Sequence, residues 1–141
     1  MTEAARPVHL RGRSVGLVFV GGALGTAARV GVSQLVDPVG PVPVATVGIN
    51  VVGAFVLGWL LERLARSGSD DGWRRDVRLG IGTGLLGGFT TYSALATDTA
   101  TLLADGHPAS ALGYAVGTLV LGLLAALAGI WCAGRRSGGP R

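Results

Sequence analysis

Gly87-Gly88-Phe89-Thr90-Thr91-Tyr92-Ser93 sits at the centre of a run, Leu79 to Thr97, that holds no charged residue. Two adjacent glycines and two adjacent threonines make a poor helix interior, because Gly costs about 1 kcal/mol relative to Ala and Thr is stiff at its β-branched carbon. The string therefore predicts a helix that breaks, over Gly87–Thr91, inside an otherwise apolar segment. Non-helical backbone at membrane depth persists only where protein buries it or where it lines a watery cavity, and the carbonyls of such breaks commonly hold a cation. A glycine kink without a bound ion is the plainer alternative.

Three further runs share this lack of charge. Ser14 to Val36 carries only Arg29, while Pro38 to Leu61 and Gly106 to Gly134 carry no charged residue. The four runs are 23, 24, 19 and 29 residues long in chain order, and about 20 apolar residues in a helix cross a bilayer core. An all-α membrane protein with four spans follows, at about 15–36, 44–63, 77–103 and 109–133, between a basic tail at 1–14 and a second tail at 134–141. With 141 residues, 49% hydrophobic and only 14% charged, and a mean hydropathy of +0.53, the chain is neither an ordinary soluble domain nor a disordered one. Its length suits one domain. Five of the six prolines flank these spans and Pro43 opens the second, as helix breakers should. The first span, preceded by Arg6, Arg11 and Arg13, has the outline of a secretory signal. Three spans follow it and Cys132 has no internal disulfide partner, so it is read as a retained helix.

Arginine supplies all 12 basic residues, and eleven of them fall in the two tails or in the loop and helix ends between spans two and three, leaving Arg29 within span one. The opposite face has the Asp37–Pro43 and Asp105–Pro108 loops, with no arginine. The positive-inside rule then places both termini and the central loop in the cytoplasm. Arginines crowded at span ends are a headgroup-facing set, which argues against nucleic acid as the partner.

Small residues four apart mark close helix contacts in lipid. Gly21 with Gly25, Ala54 with Gly58, Gly80 with Gly84 and Gly88, and Gly113 with Gly117 have this spacing. Asn50 is more informative, lying at the middle of its span, where an amide with two N–H donors and one oxygen needs partners. Thr46 extends the same face one turn earlier. An interhelical staple and a polar-lined path both suit Asn50. Tyr114 and Thr118 share a face of the fourth span. Asp98 closes the third span near the interface with no role that the sequence assigns, and Arg29 serves either as a snorkelling cation or as an electrostatic attractor of anions. No metal cluster, nucleophile arrangement or phosphate-binding loop is legible, so no enzyme is expected: His9 and His107 lie in polar end segments, and GGALGTAAR follows no expected strand.

Gly21–Arg29 (GGALGTAAR), Asn50 followed by Val-Val-Gly, and GGFTTYS, in that order on four short spans, resemble the fluoride ion channel family called Fluc. The resemblance covers about residues 15–133. It implies an antiparallel dimer of four-helix subunits, two fluoride pathways, and a structural sodium ion at the subunit junction, held by backbone carbonyls of Gly87 and Thr90. It also implies that Asn50, with Thr46 beside it, lines the pore, that Tyr92, Ser93 and Leu95 follow the break along it, and that Tyr114 and Thr118 occupy pore positions. The physics is coherent with this. Fluoride is firmly hydrated, so its walls must replace water by donors and still let it leave. Aromatic edges offer a weak positive field, and a buried cation raises the local potential.

Two departures accompany the resemblance. Where the family places Phe-Ser-Thr-Phe, this chain has Tyr92, Ser93, Ala94 and Leu95; an aromatic edge survives at Tyr92 and is lost at Leu95. The arginine bias is the second, because opposed subunits of one sequence would have to insert both ways. It predicts a related partner chain of opposite bias in place of a homodimer. The expected activity is passive fluoride efflux across the cell membrane. A proton-coupled four-span exporter is the alternative, with Asp98 as its only candidate carboxylate, and a non-conducting structural subunit, signalled by Leu95, is another.

Overall fold

The computed structural model describes residues 12–135. Arg6, Arg11, Arg136 and Arg141, which belong to the two expected tails, lie outside the described residues. In chain order the elements are α1 (Gly12–Leu35), α2 (Val44–Ser67), α3 (Gly72–Val77), a π-helical segment (Arg78–Leu86), α4 (Gly87–Phe89), α5 (Tyr92–Ala104) and α6 (Pro108–Arg135). Among the described residues, α1, α2 and α6 are long and apolar enough to cross a membrane as single helices.

Helix ends follow local chemistry. Pro43 precedes the first residue of α2, and Pro108 opens α6, where a missing N–H costs nothing. Gly106, at φ +79°, turns the chain between α5 and α6.

The third expected span is not one helix. Helical backbone runs from Gly72 to Phe89 and stops at Thr90, whose ψ is 158°; Thr91, at φ −151° and ψ 123°, is also extended, and α5 resumes at Tyr92. The break is thus narrower than the expected Gly87–Thr91, and the glycines are not its unwound part. Gly87 has helical angles, φ −65° and ψ −36°. Gly88 lacks a side chain for another reason: a Cβ there would meet the carbonyl of Gly22 in α1. The wide π turns before the break had no signal in the sequence; such turns often accompany functional sites.

Packing is backbone against backbone. α1 lies chiefly on the π-helical segment and α4, α2 lies chiefly on α6, and α5 also rests on α6. A Cβ on Gly25 would strike the Leu85 carbonyl, and one on Gly129 the Phe55 carbonyl. This is the close approach by which helices associate in lipid. Gly113 and Gly117 behave otherwise, since a Cβ at either would meet nothing within 4 Å.

The apolar surface is turned outward. Few hydrophobic side chains are buried, among them Ile49, Leu86 and Leu102, whereas Phe19, Leu35 and Leu123 are 75%, 85% and 62% exposed. A monomeric soluble protein does not present so much contiguous apolar surface; this one is a multi-pass membrane protein.

Among the described residues, several arginines gather at one end, away from Arg29. Arg13 of α1 pairs with Asp76 of α3 at 2.6 Å, Arg74 donates to Ser67 at the end of α2, and Arg66 lies beside Gly134 of α6. Arg78 holds Asp70 through two bonds of 2.7 and 2.9 Å, and that hydrogen bond keeps the Asp70 carboxyl below the usual carboxylate range. The Arg135 guanidinium stacks 3.7 Å from the Trp131 ring centre, an amphipathic pairing suited to a membrane interface.

Candidate functional site at the helix break

A two-residue break leaves backbone groups without helical partners, and in hydrocarbon each would cost several kcal/mol. Side chains supply what is missing. Thr91 N–H donates to Asn50 Oδ1 at 2.8 Å, and Asn50 Nδ2 donates to the Thr91 carbonyl at 2.9 Å. The Asn50 amide, carried by α2, thus acts as a surrogate peptide and clasps both polar groups of one residue. Thr91 in turn caps α5, its Oγ1 accepting from Ala94 N–H at 3.1 Å and lying 3.1 Å from Ser93 Oγ. On the other side, the Thr90 N–H and hydroxyl both donate to the Leu86 carbonyl, at 3.0 and 2.9 Å.

A cavity of about 340 Å³ opens beside this clasp, with Asn50, Thr90, Thr91, Tyr92, Leu95 and Thr118 in its wall. Asn50 Nδ2 has two hydrogens and the clasp uses one, leaving a donor at the cavity. Tyr92 is 78% exposed and Ser93 is exposed, while Leu95 is 5% exposed and packs with Leu102, Ala111 and Tyr114. Leu95 is therefore both cavity wall and core.

Thr46 and Tyr114 are not in that wall. Their hydroxyls converge on Asp98, Thr46 Oγ1 donating to Oδ2 at 3.0 Å and Tyr114 Oη at 2.7 Å. Thr118 joins the two groups: its hydroxyl donates to the Tyr114 carbonyl at 2.6 Å, and it lines both the first cavity and an adjoining one of about 330 Å³ that includes Tyr114. Asp98 is thus the site residue to which sequence reasoning gave no part in a channel, naming it only for the alternative exporter. Its signal was its place as the one acid of the third span, one helical segment beyond polar Thr91.

Arg29 reaches the last helical turn before the break. Its Nε donates to the Gly88 carbonyl at 3.3 Å, which Thr26 Oγ1 also approaches at 3.5 Å. The guanidinium is tied to α4 and brings positive charge there.

A cation at the break would have to rest on backbone oxygen. Among the described residues no three His, Cys, Asp or Glu side chains cluster to hold a metal. Helical continuation would send Thr91 N–H to the Gly87 carbonyl and Ala94 N–H to the Thr90 carbonyl, yet both donors go elsewhere, to Asn50 Oδ1 and Thr91 Oγ1. Gly87 also faces open space, where a Cβ would meet nothing within 4 Å. Hard cations favour such oxygens, so the residues present fit the sodium ion that the resemblance implied.

Taken together, the outward apolar surface, the interrupted third helical region and the polar side chains gathered at the interruption define a helical membrane protein with a built polar discontinuity between its helices. Residues 16–130 match the family described as CrcB-like protein, Camphor Resistance (CrcB). The chain belongs to that family. It is 59% identical over 124 residues to the fluoride-specific ion channel FluC 2 of Leifsonia xyli subsp. xyli, a match spanning 88% of this chain and 86% of the relative. It is 46% identical over 128 residues to FluC 1 of Cutibacterium acnes, spanning 87% and 90%, and 44% identical over 114 residues to FluC of Paracoccus denitrificans, spanning 80% and 88%. Both of the latter are also named fluoride-specific ion channels. The family read from GGFTTYS is the family found.

Proposed function

We propose that the chain is a subunit of a fluoride-specific ion channel, a passive conductor and not an enzyme, through which fluoride leaves the cytoplasm. Membership of a family whose relatives carry that name supports the reading, and the observation that carries it to residues is the clasped Asn50, fixed at the break with one N–H left at a cavity. A fixed neutral donor can replace water around fluoride without the full charge that would trap it. Asn50, Tyr92, Ser93, Leu95 and Thr118 form one part of the path in this reading, and Thr46 and Tyr114, held by Asp98, the other. Arg29 adds positive potential at the break.

The chain crosses the cell membrane four times, its third crossing being the broken one, with both termini and the arginine-rich end in the cytoplasm. Two subunits pack antiparallel, and the open glycines Gly113 and Gly117 are suited to meeting the partner. Sodium rests on the carbonyls of Gly87 and Thr90 and supplies positive potential to the anion route. The partner is a related chain of opposite arginine bias; relatives numbered FluC 2 and FluC 1 accord with paired sequences.

Liposomes loaded with fluoride and containing this chain, alone and with its partner, test the proposal by electrode. Release above background from the paired chains, lost in Asn50→Ala, is expected. Release only with an imposed proton gradient would favour an exporter centred on Asp98. A partner that conducts undiminished beside the Asn50→Ala subunit would make this chain a structural subunit, a reading that buried Leu95 in place of an aromatic favours.

A further inference from the structure

We propose that Asn50 and Thr91 are the positioning residues of the cation site: they create it by withholding two amide hydrogens from the carbonyls that would bind the ion. This rests on the reading of sodium at the break. The geometry is specific. In a continuous helix each carbonyl accepts from the N–H four residues on. The donor due to Gly87 is Thr91 N–H, and Asn50 Oδ1 takes it at 2.8 Å; the donor due to Thr90 is Ala94 N–H, and Thr91 Oγ1 takes it at 3.1 Å. One side chain from α2 and one from the break itself thus release two carbonyls, one in the last helical turn before the interruption and one within it. The carbonyl of Gly88 is not released in this way, because Arg29 Nε and Thr26 Oγ1 lie on it. The Phe89 carbonyl loses its helical donor at the break as well; what distinguishes Gly87 and Thr90 is that the amide hydrogens due to them are held by named side chains. The second Asn50 bond, Nδ2 to the Thr91 carbonyl at 2.9 Å, keeps the amide oriented so that its oxygen faces Thr91 N–H.

Residues behind metal ligands set affinity by orienting them, and their loss costs about 10–100-fold in metal binding. The assembled, purified channel is titrated with sodium chloride against an N-methylglucamine chloride background, and the sodium concentration giving half of the maximal thermal protection is read, with helix content followed by circular dichroism. Thr91→Ser keeps the capping oxygen and is expected to match the unmodified channel. Thr91→Val returns Ala94 N–H to the Thr90 carbonyl, and Asn50→Ala returns Thr91 N–H to the Gly87 carbonyl; each is expected to raise the midpoint about 10-fold or more with helix content kept. The two substitutions act on different carbonyls, so either carries the test if the other does not fold. A sodium response in the unmodified channel that is unchanged in the folded variants overturns this inference and leaves the sodium reading standing. No sodium response in the unmodified channel overturns both.

Discussion

At the residue scale, Asp98 shows how a single carboxyl can organise two spans. It accepts from Thr46 of α2 and Tyr114 of α6 through the same oxygen, so both hydroxyl hydrogens are committed inside the protein. Interhelical hydrogen bonds in membranes are worth about 0.6 kcal/mol each and rarely more than about 1.7. Tyr114→Phe should therefore lower stability by about that range, and Asp98→Asn, which keeps an accepting oxygen, by less than Asp98→Ala. Thermal unfolding of the purified variants checks the order. Asn50, by contrast, is engaged at both ends with one backbone unit, and its substitution is expected to cost flux and ion affinity together. The polarity of Asn50, Thr46, Tyr114 and Thr118 within apolar runs was plain from the sequence; that two of them would serve a carboxyl and one a broken backbone was not, because the partners lie 16 to 52 residues away.

At the element scale, glycine has two roles that composition cannot separate. Gly25 and Gly129 stand where another backbone presses in, whereas Gly113 and Gly117 stand open. Gly25→Ala is expected to destabilise the subunit by about 1–3 kcal/mol, the usual penalty of an overfilled contact. Gly113→Ala should leave the isolated subunit's unfolding unchanged and weaken dimerisation, as cross-linking yield would report. The same ambiguity explains why the break was read too wide. Gly87 and Gly88 look like helix breakers, yet Gly88 is spent on the approach of α1 and both remain helical, leaving the interruption to the two threonines. The π-helical segment before it, which packs chiefly against α1, has no sequence marker. The loop between α2 and α3 is held by exposed charge. Asp70 has its pKa depressed by Arg78, so the stability it lends is present above the unfolded carboxyl value and is lost as pH falls below about 4. Protection from hydrogen exchange in that loop, taken relative to the intrinsic rate at each pH, should fall with acidification in the unmodified chain and change less in Asp70→Asn.

At the scale of the whole molecule, charge placement and outward apolar surface carry the reading. Charge-free runs located the helical regions because the cost of burying charge in lipid is larger than any local propensity. The fold also brings Arg13, Arg66, Arg74 and Arg78 to one end, which makes the arginine bias a property of the folded object as well as of the sequence. Reporter fusions at the carboxyl terminus are expected to report the cytoplasm alone; equal signals from both sides would refute a fixed orientation and with it the need for a partner of opposite bias.

The two-ended grip of Asn50 on Thr91 bears finally on kinetics. Rotating that amide away from the cavity would rupture two hydrogen bonds at once in a medium that offers few replacements, which disfavours its use as a swinging gate in the proposed channel. In the proposed channel a wall held in this manner stays ajar at that level, and fluoride throughput is expected to follow the gradient without pauses traceable to Asn50.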